Sequence, residues 1–284
     1  MRSKQLLLNS DEADPIAFET SSGLVYLLSC RSPDREGLNQ DSAAVFSLAD
    51  YVDVLVVADG AGGCQAGDQA SCLAIEAFSE ILQGFKPRNG ELRSAILDAF
   101  ELANRRILEL GVGAASTLAV AELSSGFVRT YHAGDSVVMV TGQRGKLKLQ
   151  TVSHSPVGYG VESGLLDEAQ AMHHAERHLV SNMLGAADMR IEVSQPLRLA
   201  ARDTVVVASD GVTDNLHMPD LIEFVRSGDL ATKLPEMREQ LLTRMQKPTN
   251  GAPSKPDDFS LILLRPSAES LIVSTRQLEL GLTV

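Results

Sequence analysis

Two stretches of the chain each drive an apolar strand straight into Asp-Gly: Val54-Leu55-Val56-Val57-Ala58-Asp59-Gly60 and Val205-Val206-Val207-Ala208-Ser209-Asp210-Gly211. Short, continuous aliphatic runs of this kind read as strands buried on both faces, so layers must pack above and below them. Asp-Gly by itself is hairpin punctuation, since it supplies positive φ. Two copies closing long buried strands, one running on into Ala61-Gly62-Gly63, point instead to carboxylates set at strand ends.

More carboxylates stand in similar places. Asp135 interrupts an apolar stretch at Ala133-Gly134-Asp135-Ser136-Val137; Asp257 and Asp258 precede Phe259; Asp41 follows Asn39-Gln40 and leads into apolar residues 43–46. Aspartate is rarely buried unless it is paired or holds a metal. No comparable set of basic residues stands at these strand ends. Clustered carboxylates without counter-charges need a cation, and an all-oxygen donor set suits Mg²⁺ or Mn²⁺. Gly60 lets the backbone approach closely enough for its carbonyl to join them.

Strands are expected at 54–58, 117–123, 127–140, 146–152, 205–208 and 259–264. Ala70, Leu73, Ala74, Ala77, Phe78 and Ile81 line one face of a helix, and Leu92, Ile96, Ala99, Phe100, Ala103, Ile107 and Leu110 one face of another. The loop 84–90, with Pro87, makes the two an antiparallel pair; further helices are expected near Pro219 and over 235–245. Blocks of strands with helices grouped between them favour an α+β sandwich of mostly antiparallel sheets over βαβ units. Residues 153–187, rich in Gly, Ser and His, read as a mobile, flap-like excursion beside the site. With no linker composition in the middle, 1–284 reads as one domain.

The formal net charge of −12 argues against nucleic acid and anionic membrane as partners, because both demand clustered Lys and Arg. The sparse Cys30, Cys64 and Cys72 fit a reducing compartment. Leu6-Leu7-Leu8 is too short for a signal-peptide core. A cytoplasmic protein is expected.

In chain order, Asn39-Gln40-Asp41, Asp59-Gly60-Ala61-Gly62-Gly63, Ala115-Ser116-Thr117, Ala133-Gly134-Asp135-Ser136, Ser209-Asp210-Gly211 and Asp257-Asp258-Phe259-Ser260 resemble the metal-dependent protein serine/threonine phosphatases of type 2C, in their bacterial, stand-alone form. The resemblance spans about residues 29–265. It implies an α-β-β-α sandwich, two sheets flanked by helix pairs, with a centre of two or three Mn²⁺ or Mg²⁺ ions at one end. By matching motif, Asp59 bridges two ions, the Gly60 carbonyl ligates one, Asp210 and Asp257 complete the other, and Asp135 with Asp210 marks the third. Asp41 holds water. The implied activity is hydrolysis of phosphoserine and phosphothreonine in proteins by a metal-activated water, on substrates of a serine/threonine kinase.

The chain departs from the family pattern at several points. Gln40 stands where Glu is usual, and Glu36 where a phosphate-binding Arg is expected, so Arg35 is taken as the substitute. Ala61 stands where many members carry a His, and Val137 where an Arg often follows Gly-Asp-Ser. A phosphoprotein-binding pseudophosphatase and a small-molecule phosphoesterase are the alternatives. Zinc at His174 and His178, a dinucleotide site at Gly158-Tyr159-Gly160, redox chemistry at Cys64 and catalysis by Ser116-Thr117 are each less favoured than a structural role.

Overall fold

The structure, a computed structural model, describes residues 1–33, 35–61, 66–85, 91–249 and 251–272. Cys64, Gly62, Gly63 and most of the 84–90 loop, Pro87 included, lie outside the described residues.

Among the described residues, thirteen strands form two antiparallel sheets. The strands are β1 (Ser3–Leu8), β2 (Ile16–Glu19), β3 (Gly23–Cys30), β4 (Asp41–Ala49), β5 (Val52–Asp59), β6 (Leu118–Ser124), β7 (Phe127–Ala133), β8 (Val137–Gly142), β9 (Leu147–Gln150), β10 (Glu192–Val193), β11 (Leu197–Arg198), β12 (Asp203–Ala208) and β13 (Phe259–Pro266). One sheet runs β1-β4-β5-β6-β7-β10 with β11 also on β7; the other runs β2-β3-β13-β12-β8-β9. Alternate residues of β4, β5 and β6, such as Val45, Val57 and Ala121, meet Val138, Val207 and Ile262 of the second sheet between the layers.

The outer face of the first sheet is covered by α1 (Gly67–Leu82) and α2 (Glu91–Glu109). Their apolar stripes face that sheet and each other, and Phe78 meets Phe100 edge-on at 5.6 Å. Two short helices, α3 (Pro156–Glu162) and α4 (Glu168–Met172), follow β9. The second sheet is covered by α5 (Asp210–Thr213), α6 (Met218–Val225) and α7 (Leu230–Gln246). The four-layer sandwich expected from the sequence is the one found. No helix among the described residues is long and apolar enough to cross a membrane.

Two expectations need correction. The single strand over 127–140 is two strands in different sheets, broken at 134–136, where Gly134 has φ 117° and packs against Thr117 so closely that a Cβ would lie 2.5 Å from it. The helix expected from Pro235 begins at Leu230, capped by the Asp229 carboxylate on Ala231 N–H; burial of Leu230 and Leu234 holds the turns before the proline. The Leu6-Leu7-Leu8 run, for which no element was expected, lies in edge strand β1 on β4.

Residues 153–187 carry α3 and α4, each capped, by Ser155 and by an Asp167–Gln170 capping box. They are tied to the body where His154 N–H donates to the Gly134 carbonyl (3.0 Å) and where Ser116 and Leu184 exchange backbone hydrogen bonds. His174 and His178 lie in turns, off any helix.

Candidate active site

The sheet topology gathers the predicted aspartates at one end of the sandwich. Asp41 opens β4 and Asp59 closes β5, and the register pairs these two residues directly. Asp210 follows β12 at the start of α5, Asp257 and Asp258 precede β13, and Asp135 sits where the chain crosses between sheets. Antiparallel neighbours put one strand's start beside the next one's end, which is why residues far apart in sequence converge here.

The cluster has two ranks. Asp59, Asp135, Asp210 and Asp257 are half-buried, while Asp41 and Asp258 lie fully buried behind them. The rear rank is held by hydrogen bonds. Ser209 Oγ donates to Asp41 Oδ2 at 2.6 Å. Asp258 accepts from Ser32 N–H (2.7 Å), Gln40 N–H (2.7 Å) and Arg35 Nη1 (2.8 Å). Asn39 braces the same turn, its Oδ1 accepting from Asp41 N–H at 2.8 Å. Gly60 is obligatory: a Cβ there would sit 2.1 Å from the Gly67 carbonyl oxygen and 2.7 Å from that of Gln40.

Electrostatics separates the front rank into two groups. Among the described residues, no donor or cation reaches the Asp59 carboxylate. Burial, then Asp41, Asp210, Asp257 and Asp135, hold its pKa well above the usual carboxylate range. Burial and then Asp210 push Asp135 up to about 8. Asp41 also reaches about 8, from burial, with Ser209 opposing and the neighbouring aspartates adding.

On the other side stand two cations: Arg35, which the sequence placed at the site, and Lys255, which it did not. Lys255 Nζ lies 2.6 Å from Asp210 Oδ2, 2.9 Å from Asp214 Oδ2 and 3.2 Å from Asp257 Oδ2. Arg35 bonds Asp258, Gln40 Oε1 and, at 3.3 Å, Asp257. Burial raises Asp257 to about 6, Asp210 adding to it and Lys255 and Arg35 drawing it down. Burial opposes the Lys255 ammonium, but Asp210, Asp214 and Asp257 outweigh it and raise its pKa. Lys255 was missed because it lies in the loop before β13, where nothing local shows where its side chain ends. Asp214 was missed too, although it stands four residues after Asp210 on the same helical face.

The residues fit divalent cations at Asp59, whose carboxylate has no donor among the described residues and stands among the further carboxylates Asp41, Asp210, Asp257 and Asp135. Two of the front rank, Asp135 and Asp210, line a cleft of about 580 Å³ between α3–α4 and α5–α6, together with Asp214, Met172, Arg177 and Met218. Ser116 and Thr117 act as braces, Ser116 Oγ on the Asp59 carbonyl (3.0 Å) and Thr117 Oγ1 against Ser136 Oγ (2.6 Å).

A second polar group, His132, His154 and Glu192, brings its potential ligand atoms within 4.8 Å. Its bonding argues against a metal. Gly134 N–H donates to His154 Nδ1 (3.1 Å), so Nε2 carries the proton toward Glu192 Oε2 at 3.2 Å. The two imidazoles stack with centroids 4.3 Å apart and planes 19° apart, so one ion could not lie in both ring planes.

A family profile for protein phosphatase 2C matches residues 33–245. A putative protein phosphatase 2C-type of Streptococcus pyogenes is 26% identical over 200 residues, 66% of this chain and 79% of that one. A serine/threonine phosphatase stp of Listeria welshimeri is 27% identical over 201 residues, with the same coverage of 66% and 79%. The S. agalactiae serine/threonine phosphatase structure superposes with a TM-score of 0.71 at 25% identity, over 86% of this chain and 99% of that one. The catalytic domain of a serine/threonine protein phosphatase, PstP, in complex with two manganese ions shares the fold with a TM-score of 0.68 at 22% identity, over 84% and 96%. Fold and site together define a phosphatase whose carboxylates gather where strands of two sheets end. The chain belongs to the protein phosphatase 2C family.

Proposed function

We propose that this protein phosphatase hydrolyses phosphoserine and phosphothreonine in proteins at a centre of two Mn²⁺ or Mg²⁺ ions. The observation that carries the reading is the Asp59 carboxylate at the end of β5, set among carboxylates and without a donor among the described residues. Asp59 and the Gly60 carbonyl would hold one ion, Asp59 with Asp210 and Asp257 the other, and Asp135 with Asp210 a third, weaker one. Bound there, such ions supply Lewis-acid chemistry: they acidify water and neutralise phosphoryl charge.

The chain's own groups do the rest. Asp41 has Oδ2 taken by Ser209, and among the described residues no donor reaches Oδ1. It can therefore accept a hydrogen bond from a water and hold that water in line. Arg35 is anchored by Asp257 and Asp258, and its remaining N–H groups can bind a phosphoryl oxygen and orient it. The cleft beside Asp135 is large enough for the peptide flanking a phosphorylated residue. Ala61 offers no proton to the leaving group, so water must supply it.

The names of the relatives and the family support protein substrates, made by a serine/threonine kinase. The net charge of −12 supports a protein that keeps off nucleic acid and anionic membrane, in the cytoplasm. The test is phosphate release from phosphoserine and phosphothreonine peptides and from p-nitrophenyl phosphate, with Mn²⁺ and with EDTA. Mn²⁺-dependent turnover of the peptides is expected. Turnover of small esters alone would favour a small-molecule phosphoesterase, and peptide binding without turnover a pseudophosphatase.

A further inference from the structure

We infer that Lys255 is a built-in cation that competes with the divalent metal for Asp210 and Asp257. The inference rests on the metal-dependent reading above. It concerns how tightly this chain holds its ions.

The ammonium sits among carboxylates assigned to metal. Its contacts to Asp210 (2.6 Å), Asp214 (2.9 Å) and Asp257 (3.2 Å) use oxygens that a divalent ion would need. By contrast, the Asp59 carboxylate has no cation among the described residues. The ammonium thus covers one half of the cluster and leaves the other bare.

Its position is built into the fold. Asn215, fully buried, grips the Lys255 backbone from both sides: Nδ2 donates to the Lys255 carbonyl (2.8 Å), and Oδ1 accepts from Lys255 N–H (2.9 Å). The same Asn215 Nδ2 donates to the Gly211 carbonyl (2.9 Å), tying this loop to the helix that carries Asp210 and Asp214. The neighbouring Ser254 Oγ donates to the Arg244 carbonyl (2.8 Å), and Arg244 Nη1 to that of Asn215 (2.7 Å). A residue whose main chain is fixed in this way aims its side chain at one place. An ammonium and a divalent ion cannot share the same carboxylate oxygens at bonding distance, so metal entry there requires the lysine to swing out. Charge-assisted bonds of this kind must be given up, and the metal's apparent affinity falls by that amount.

The test is calorimetric titration of Mn²⁺ into the metal-free protein, with bound manganese counted, for wild type, Lys255→Met and Lys255→Arg. Lys255→Met should bind its weaker ion at least about ten-fold more tightly, as expected when a competing state is removed. Its melting temperature should fall in EDTA, where the carboxylates lose their counter-ion, and recover on adding Mn²⁺. Lys255→Arg, which keeps the charge, should bind no more tightly than wild type.

Two ions bound by wild type and Lys255→Met with equal affinity would overturn the inference and leave the phosphatase reading intact. So would tightening in Lys255→Arg as large as in Lys255→Met. Failure of wild type and both variants to bind Mn²⁺ at all would instead bring down the metal-dependent reading, and this inference with it. Should Lys255→Met not fold without metal, it can be refolded in Mn²⁺ and its rate of stripping by EDTA compared with that of wild type. Slower loss than wild type supports competition; equal or faster loss refutes it.

Discussion

Asp258 is the buried anchor of the site, and replacing it with alanine tests whether the rear rank is as tightly held as the geometry says. The residue is 2% exposed and accepts two backbone N–H groups, from Ser32 and Gln40, each at 2.7 Å. Truncation leaves both donors buried without an acceptor, at about 1–3 kcal/mol each. The Arg35 pair adds less, since that guanidinium is 25% exposed and screened by solvent. The expected loss is about 3–5 kcal/mol, the range found on breaking a buried charge–hydrogen-bond assembly. Asp258→Asn keeps one acceptor oxygen and should lose about half as much. The assay is urea unfolding in EDTA, so that bound cations do not mask the difference, with an unchanged m value as the check on the unfolded state. An Asp258→Ala protein within about 1 kcal/mol of wild type would refute the argument, because it would mean that water satisfies these donors at no cost.

Other outcomes are equally definite. Asp59→Asn should abolish phosphopeptide hydrolysis at saturating Mn²⁺, since the same carboxylate is assigned to both ions; near-normal turnover would remove it from the centre. Gly60→Ala should lose about 3 kcal/mol or fail to fold, because the added methyl meets two backbone carbonyls that cannot move independently; a melting temperature equal to wild type would contradict that packing. His132 has its pKa lowered, chiefly by burial and further by His154, against the Val152 carbonyl and Glu192. Its neutral form is therefore favoured in the folded state, so the stability it contributes is complete above the unfolded value of about 6.5 and is lost as pH falls below it. The difference in unfolding free energy between pH 7 and pH 5 should shrink in His132→Gln, and an unchanged difference would show that this imidazole does not titrate differently on unfolding.

The strands that carry the aspartates were legible because continuous aliphatic runs such as 54–58 and 205–208 have one physical solution, burial on both faces. Helices α1 and α2 were legible from their 3.6-residue period. What escaped was set by long-range geometry. The break at Gly134 looks in sequence like one Gly-Asp-Ser interruption of a strand, and only packing against Thr117 shows why the chain changes sheets there. Edge strands β1 and β2 are short and mostly exposed or half-buried, so their pattern was too brief to count. Arg35 was expected at the site as a phosphate-binding group, though not its ion pairs with Asp257 and Asp258; Lys255 escaped, because nothing local fixes where a long side chain ends. Only the Asn215 clamp, made across the fold, does so.

The site straddles the seam between the two sheets. Asp41 and Asp59 hang from one layer, Asp210 and Asp257 from the other, and Asp135 from the crossing between β7 and β8. If ions are held as proposed, by Asp59 on one layer and Asp210 on the other, they would fasten the layers together as well as supply chemistry. Whatever free energy they gain on binding is added to the work of prising the sheets apart, about 1.4 kcal/mol for each ten-fold of free cation above its dissociation constant. Cells that change their manganese or magnesium supply would then alter the lifetime of this protein along with its rate. Backbone amides in β5 and β12 should record that in slowed hydrogen exchange before any turnover is measured.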